Sequence, residues 1–181
     1  MMRKLVLLFA VAALSACSTY MPQRYSISAD NNVALKSMGA SNIGVGPFTG
    51  PKGFDNGCRA AGSISPPDGM AFEQYVQKAL ADELKVAGMF DEKAPKVILT
   101  GALEQLSFSS ISGLTGGTWD IGLRVNSSNG RSTFVTEHYE FNSGFIADTA
   151  CKQTAEAYLP AVQDLIGKLI ASPDFKTLVS L

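Results

Sequence analysis

The chain has 181 residues, of which 46% are hydrophobic and 17% charged, and its formal net charge is −1. A composition of this kind suits one globular domain with a hydrophobic core. A protein that binds nucleic acid needs a cluster or stripe of basic residues to replace condensed counterions, and the 15 basic residues form none. The composition therefore argues against nucleic acid as a partner.

Residues 1–16 have the pattern of a removable bacterial export signal. A positively charged start precedes an apolar run of roughly ten residues, which is too short to span a bilayer of ~30 Å. The run closes at Leu14-Ser15-Ala16-Cys17, which resembles the lipobox of bacterial lipoproteins. Cys17 resembles the lipobox cysteine that receives a diacylglycerol and then an N-acyl chain. The alternative is an ordinary secretory signal followed by an incidental cysteine.

The residue after the lipobox cysteine bears on the choice of membrane. Ser18 resembles the residues that permit sorting to the outer membrane, whereas Asp at this position retains lipoproteins at the inner one. We therefore expect a protein that is anchored in outer-membrane lipid through acylated Cys17 and faces the periplasm. Removal of residues 1–16 takes away two basic residues and no acidic one, which leaves a net charge of about −3.

Lipidation of Cys17 leaves two cysteines, Cys58 and Cys151, in a chain exported to an oxidising compartment. We predict that they form a disulfide; the alternative is two free buried thiols. A metal site built on the pair lacks further ligands, because the single histidine, His138, lies in strand-like sequence far from both. No metal and no cofactor are predicted.

Residues 17–40 are polar and show no sustained period of two or 3.6 residues. This pattern predicts an irregular, lipidated tether in front of a single domain over residues 41–181. A short apolar stretch at 33–35 is the one part of the tether that could dock on the domain. A first strand is predicted over 42–48, ending at Pro47 because proline cannot donate a hydrogen bond to a ladder.

The segment 49–69 is dense in glycine and proline and cannot sustain a helix or a central strand. A loop of this length either carries a function or is fixed to the domain, and Cys58 near its middle can fix it through a disulfide. The segment 70–89 then has apolar residues at three- and four-residue spacing, which predicts an amphipathic helix capped by Asp68 and ended by Gly88. Its stripe is expected to lie in the core; a groove for a partner is the alternative.

Three strands are predicted over 96–109, 118–126 and 135–145 from alternating apolar and polar residues. A phase change at Glu104-Gln105 indicates a β-bulge, and Asn129-Gly130 predicts a tight turn. The glycine-rich connection between the first two strands carries Ile111 and Leu114. We predict that these two aliphatic residues bind a partner; the alternative is that both fold back onto the end of the sheet.

The last apolar stripe predicts a helix capped by Asp148 or Thr149, with Cys151 in its first turn, where it could meet Cys58. Pro160 interrupts the stripe, so we expect a kink or two abutting helices there.

No constellation in the sequence supports catalysis, and we expect that the protein is not an enzyme. His138 has no acid and nucleophile at a recognisable spacing, and it is expected to face solvent. Glu137 breaks the apolar parity of its strand, so it is either a buried carboxylate of functional interest or a glutamate at a strand end or sheet edge.

The order β-α-β-β-β-α predicts an α+β two-layer sandwich, with a four-stranded mixed sheet and two helices on one face. In outline the chain resembles small envelope lipoproteins of the YajG type and the auxiliary lipoproteins of ABC-type envelope transporters, which share a fold with the amino-terminal domain of TolB. The sequence stretches that carry the resemblance are the lipobox at 14–17, the strand end at 45–48, the helix segment 79–84 and residues 172–175.

The resemblance implies a non-catalytic accessory or scaffold protein of an envelope transport or biogenesis complex, bound to an unidentified envelope protein through its sheet face or edge. One alternative is a small-ligand or glycan binding module that uses the 49–69 loop. A hydrolase with an unrecognised site is the other.

Overall fold

The computed structural model of the protein describes residues 18–39, 41–113 and 115–180. The predicted signal at 1–16, the predicted lipidation site Cys17 and the hairpin residue Leu114 lie outside the described residues, and they stay predictions.

The described residues form two sheets, four α-helices and a 3-10 turn at Pro67–Gly69. In chain order the elements are β1 (Ser18–Tyr20), α1 (Ala29–Met38), β2 (Ile43–Thr49), β3 (Gly57–Cys58), β4 (Gly62–Ile64), α2 (Phe72–Ala87), β5 (Val97–Ser112), β6 (Gly116–Ser127), β7 (Ser132–Asn142), α3 (Ala147–Ala171) and α4 (Phe175–Leu178). The main sheet has the order β2-β5-β6-β7, and a small sheet has the order β1-β4-β3. The predicted α+β class with a mixed four-stranded sheet is confirmed; the small sheet was not predicted.

The main sheet is mixed because the crossover through α2 brings β5 parallel to β2, while β5, β6 and β7 form an antiparallel meander. The predicted bulge is confirmed by a register shift between Leu103 and Gln105. The predicted end of the first strand at Pro47 is wrong, since β2 continues to Thr49. The pairing of β2 with β5 has a register shift between Val45 and Phe48, and β2 is an edge strand. No hydrogen bond to β5 therefore needs the N–H group that Pro47 lacks.

The core lies between the main sheet and the helices α2 and α3. The inward side chains of β6 are fully or almost fully buried. The apolar stripe of α2 lies in the core as predicted and packs against β2 and β5, while α3 packs against β6 and β7. Trp119 of β6 is completely buried, and its indole N–H donates to the carbonyl oxygen of Thr154 in α3 at 2.8 Å. Its ring packs against those of Phe72, Phe108 and Tyr158 at centroid distances of 4.8 to 6.0 Å. This aromatic cluster joins both helices to the sheet.

Leu80→Ala and Leu123→Ala are each expected to lower the free energy of unfolding by about 3 kcal/mol, because both side chains are completely buried and leave a cavity. Lys78→Ala on the exposed side of α2 is the matched control, since its ion pair with Asp82 is exposed and contributes little. Urea unfolding measures all three. Equal losses for Leu80→Ala and Lys78→Ala would show that the face of α2 is wrongly assigned.

The predicted cap residues of the two long helices have other partners. Helix α2 begins at Phe72, and the side chain of Gln74 accepts the backbone N–H of Ala71 at 2.8 Å. Asp68 lies in a preceding turn with a φ of 60° and binds the guanidinium of Arg24 at 2.7 and 2.9 Å. Asp68 is therefore an ion-pair partner and not a cap.

Helix α3 starts at Ala147, so both predicted caps lie inside it, and the side chain of Asp148 accepts the hydroxyl of Tyr20 at 2.9 Å. The helix continues through Pro160 as one 25-residue element, so of the two expectations the abutting helices are wrong and the kink stays a prediction. Pro160 lacks the N–H group that would donate to the carbonyl oxygen of Glu156 one turn earlier, and Glu156 lies on the exposed side of the helix.

The predicted irregular tether is wrong for residues 18–39. Strand β1 pairs in parallel with β4, and Ser28 caps α1 by accepting the backbone N–H of Asn31 at 3.4 Å. Helix α1 packs against α2 and α3 and buries Leu35 completely. Since α1 buries only two of its ten side chains, its sequence carries no amphipathic stripe that could reveal it.

Candidate functional site

The predicted cysteine pair lies at one end of the domain. Cys58 of β3 and Cys151 of the first turn of α3 form a disulfide, with their Cα atoms 5.8 Å apart and both side chains completely buried. The bond pins the 49–69 segment, which contains β3 and β4. Phe54 of the same segment packs edge-on against Phe72, at a centroid distance of 5.1 Å.

Arg59 connects the disulfide-bonded strand to the neighbouring loops, a role that the sequence did not predict. Its guanidinium donates to the hydroxyl of Ser110 at 2.8 Å and to the carbonyl oxygens of Ser110, Gly144 and Phe145, the last at 2.9 Å. The residue holds a positive φ of 46°. No local pattern signals this role, because every partner lies more than 50 residues away.

Three exposed apolar side chains surround this junction, and we call them the apolar end: Ile111, Phe145 and Ile146. Their exposed fractions are 63%, 94% and 69%. The alternative that Ile111 folds back onto the sheet is therefore wrong. The sequence predicts that the last strand extends to residue 145, but β7 ends at Asn142, which leaves Phe145 free to point outward. A cavity of about 270 Å³ lies between Ile111, Phe145 and Arg59.

Glu83 fixes the N-terminal segment to the domain. This completely buried carboxylate accepts the hydroxyl of Tyr25 at 2.7 Å and the backbone N–H of Ser28 at 2.9 Å. Burial, with a further contribution from the hydrogen bond to Glu83, raises the pKa of the Tyr25 phenol, so Tyr25 stays protonated and donates. The sequence did carry a signal, since Glu83 falls on the apolar stripe of its helix three residues after Leu80.

The outer face of the main sheet, opposite the helices, carries a second group of exposed side chains. Arg124 forms a two-bond ion pair with Glu104 at 2.5 and 3.2 Å, and its guanidinium lies 5.0 Å from the ring centroid of Phe134. The hydrogen bond to Arg124 lowers the pKa of Glu104. Phe134 is 41% exposed, and Ile98 on β5 is exposed on the same face. We call these four residues the outer-face cluster.

His138 lies on the same face and is exposed to solvent, as predicted. No acid and nucleophile stand at a recognisable spacing from it in the sequence, but the register of β6 and β7 places Asp120 directly opposite. Its imidazole Nδ1 is 2.6 Å from a carboxylate oxygen of Asp120, and Nε2 is 3.7 Å from one of Glu140. The hydrogen bond to Asp120 and its negative charge raise the pKa of His138 and favour the imidazolium form.

Glu137 was interpreted either as a buried carboxylate or as a glutamate at a strand end or sheet edge, and each interpretation is correct in part. It lies on the edge strand β7, but in the middle of that strand, and its side chain is almost fully buried on the helix side. Its carboxylate is 2.9 Å from the ammonium group of Lys168 in α3. The pair joins the edge strand to the helix, which is a structural role.

Across residues 18–39, 41–113 and 115–180, no helix is both long and apolar enough to cross a membrane.

No protein-family model and no curated protein matches the chain. Solved structures of similar shape include a DUF330 protein from Xanthomonas campestris, with 9% identity, 84% of this chain and 94% of that chain covered, and a TM-score of 0.49. Others are a candidate lipoprotein from Caulobacter crescentus (12% identity, 82% and 97% covered, TM-score 0.44) and a hypothetical protein from Chlamydia trachomatis (6%, 77% and 98%, 0.42). All three TM-scores lie below 0.5, so the likeness by itself assigns no function.

Proposed function

We propose that the protein is a lipid-anchored, non-catalytic accessory or scaffold protein of an envelope transport or biogenesis complex, at the periplasmic face of the outer membrane. The observation that carries the proposal is that the folded domain starts directly after the lipobox. Strand β1 begins at Ser18, the residue after Cys17. A lipid on Cys17 therefore attaches directly to the folded domain. The buried disulfide between Cys58 and Cys151 supports an oxidising compartment.

The outer-face cluster is the surface that we propose for the envelope protein partner. It combines an arginine with an aromatic ring on the solvent-facing side of the sheet, and these residue types are enriched where proteins bind each other. The ion pair with Glu104 holds the Arg124 guanidinium over the Phe134 ring before any partner arrives. Side chains exposed on an open face suit contacts with a protein, whereas a small ligand needs a concave pocket that buries most of its surface.

The ligand-binding alternative receives less support from the 49–69 segment. Cys58 and Ile64 are completely buried, and Phe54 packs against the core residues Phe72 and Phe108. These side chains stabilise the fold and are not presented to a ligand.

The test is recovery of a partner with the full-length lipidated protein from detergent-solubilised envelope membranes. The wild type is expected to retain one protein at a stoichiometric ratio, and Phe134→Ser is expected to lower its recovery about tenfold or more, because a buried aromatic side chain is lost from the contact. Val33→Ser is the matched control, since Val33 is an exposed apolar residue of α1, on the opposite layer. Equal recovery by wild type and Phe134→Ser would contradict the proposed surface.

A further inference from the structure

The N-terminal segment shows which end of the domain faces the lipid anchor. The hydroxyl of Tyr20 donates to Asp148 in the first turn of α3, and the side chain of Gln163, about four turns further on, donates to the carbonyl oxygen of Ser26. The chain from residue 20 to 26 therefore runs along α3 from its N-terminal end towards its C-terminal end. Ser18 lies at the end of the domain where α3 begins.

The apolar end lies at this same end of the molecule. Ser18 pairs with Gly62, and Gly62 pairs with Cys58, so two strand spacings of about 4.8 Å separate the backbones of Ser18 and Cys58. The next residue, Arg59, donates to the carbonyl oxygens of Ser110 and Phe145. The start of β1, the tip of the β5–β6 hairpin and the loop before α3 are thereby held together.

Exposure of the apolar end to water is unfavourable, and a grouping of this kind marks a contact surface. Phe145 is the most exposed of the large hydrophobic residues in the described part of the chain, and Ile146 directly follows it. Ile111 reaches the same surface from the hairpin. Leu114, the other residue of the predicted pair, lies outside the described residues.

We propose that the apolar end, formed by Ile111, Phe145 and Ile146, inserts into the interface of the phospholipid leaflet that holds acylated Cys17. This inference rests on the proposed lipid anchor. Because no residue separates Cys17 from β1, the anchor holds this end of the domain at the membrane surface. Side chains of this type are favourable at a depth of roughly 5–10 Å in the headgroup and acyl boundary.

Insertion of the apolar end also sets the orientation of the domain. The opposite end carries the turn at Asn129, whose side-chain amide donates to the carbonyl oxygens of Thr177 and Ser180 near the C-terminus. The strands β5, β6 and β7 run between the two ends and so point away from the membrane. The outer-face cluster then faces sideways into the periplasm, where a protein partner can reach it.

The experiment uses full-length protein, lipidated in cells and reconstituted into vesicles of phosphatidylethanolamine and phosphatidylglycerol with brominated acyl chains. Bromine quenches a tryptophan only when the ring lies in the lipid, and the single native tryptophan, Trp119, is completely buried. Phe145→Trp and Ile111→Trp are each expected to show at least about twofold stronger quenching than the wild type, with blue-shifted emission. The matched control is Phe134→Trp on the outer face, expected to match the wild type.

Flotation and the mass of the modified Cys17 are measured on the same samples, so that two failures can be told apart. Protein that floats with lipidated Cys17 but shows no quenching of Phe145→Trp or Ile111→Trp overturns the insertion and leaves the anchor intact; a protein partner then becomes the occupant of this end. Quenching of Phe134→Trp instead would place the outer face on the membrane. Unmodified Cys17 and no flotation would overturn the anchor, and with it this inference.

Discussion

Cys17→Ser is expected to abolish lipid labelling and to release the protein as a soluble periplasmic species, or to leave the precursor uncleaved. Oxygen cannot form the thioether that holds the diacylglycerol, and the three side chains of the apolar end are too few to anchor a domain alone. Radiolabelled palmitate followed by membrane fractionation measures both effects.

Ser18→Asp is the companion variant, because it alters the residue after the cysteine and keeps the thiol. It is expected to retain the palmitate label and to shift the protein from the outer to the inner membrane. Ser18 is exposed at the start of β1, so the fold tolerates the change. Palmitate on the Cys17→Ser protein would contradict the anchor, and outer-membrane recovery of Ser18→Asp would contradict the sorting role of Ser18.

Loss of the disulfide is expected to lower the free energy of unfolding by about 4 to 5 kcal/mol, because the unfolded chain regains the entropy that the cross-link had removed. The two cysteines are 93 residues apart, and the cross-link removes many conformations from the unfolded chain. The bond also ties the small sheet to the first turn of α3, so Cys58→Ala/Cys151→Ala should loosen β1 and the apolar end. Chemical unfolding of the oxidised wild type and of the double variant measures the difference.

Reduced wild-type protein provides the control for the double variant. Both lack the cross-link, so their unfolding midpoints should nearly coincide, and only a cavity effect of the two alanines separates them. Mass spectrometry of non-reduced protein taken directly from the envelope tests the bond itself. Two alkylatable thiols at Cys58 and Cys151 would contradict the pairing, and equal stability of oxidised and reduced protein would contradict its energetic role.

Elements with strong local periodicity were predictable from the sequence. The stripe of α2, its end at Gly88, the alternation along β6 and the bulge after Leu103 all follow from side chains within a few residues of one another. The crossover through α2 also sufficed to predict a parallel pair, since the connection between β2 and β5 contains a helix. The α+β class follows from these signals.

The cap residues show where local reasoning failed. Asp68 and Asp148 each stand before or at a helix start, which is where a capping carboxylate belongs. In the structure Asp68 binds Arg24 and Asp148 binds Tyr20. Both partners belong to the N-terminal segment, so the sequence around each helix could not predict them. A cap depends on the absence of stronger long-range partners, and those partners depend on the fold.

The candidate surfaces depended most on tertiary structure. Composition and the lipobox were enough to predict export, a lipid anchor at Cys17 and a cysteine pair, since these signals are read along the chain. The folded structure of residues 18–39, in contrast, depends on contacts with the buried carboxylate of Glu83 and on pairing with β4. These partners lie more than 40 residues away in the sequence. The placement of Ser18 and Phe145 at one end of the domain depends on the pairing of β1, β4 and β3 and on the hydrogen bonds of Arg59. The contact of Asp120 with His138 likewise exists only after strand pairing, because hydrogen-bond register and not sequence spacing sets that distance.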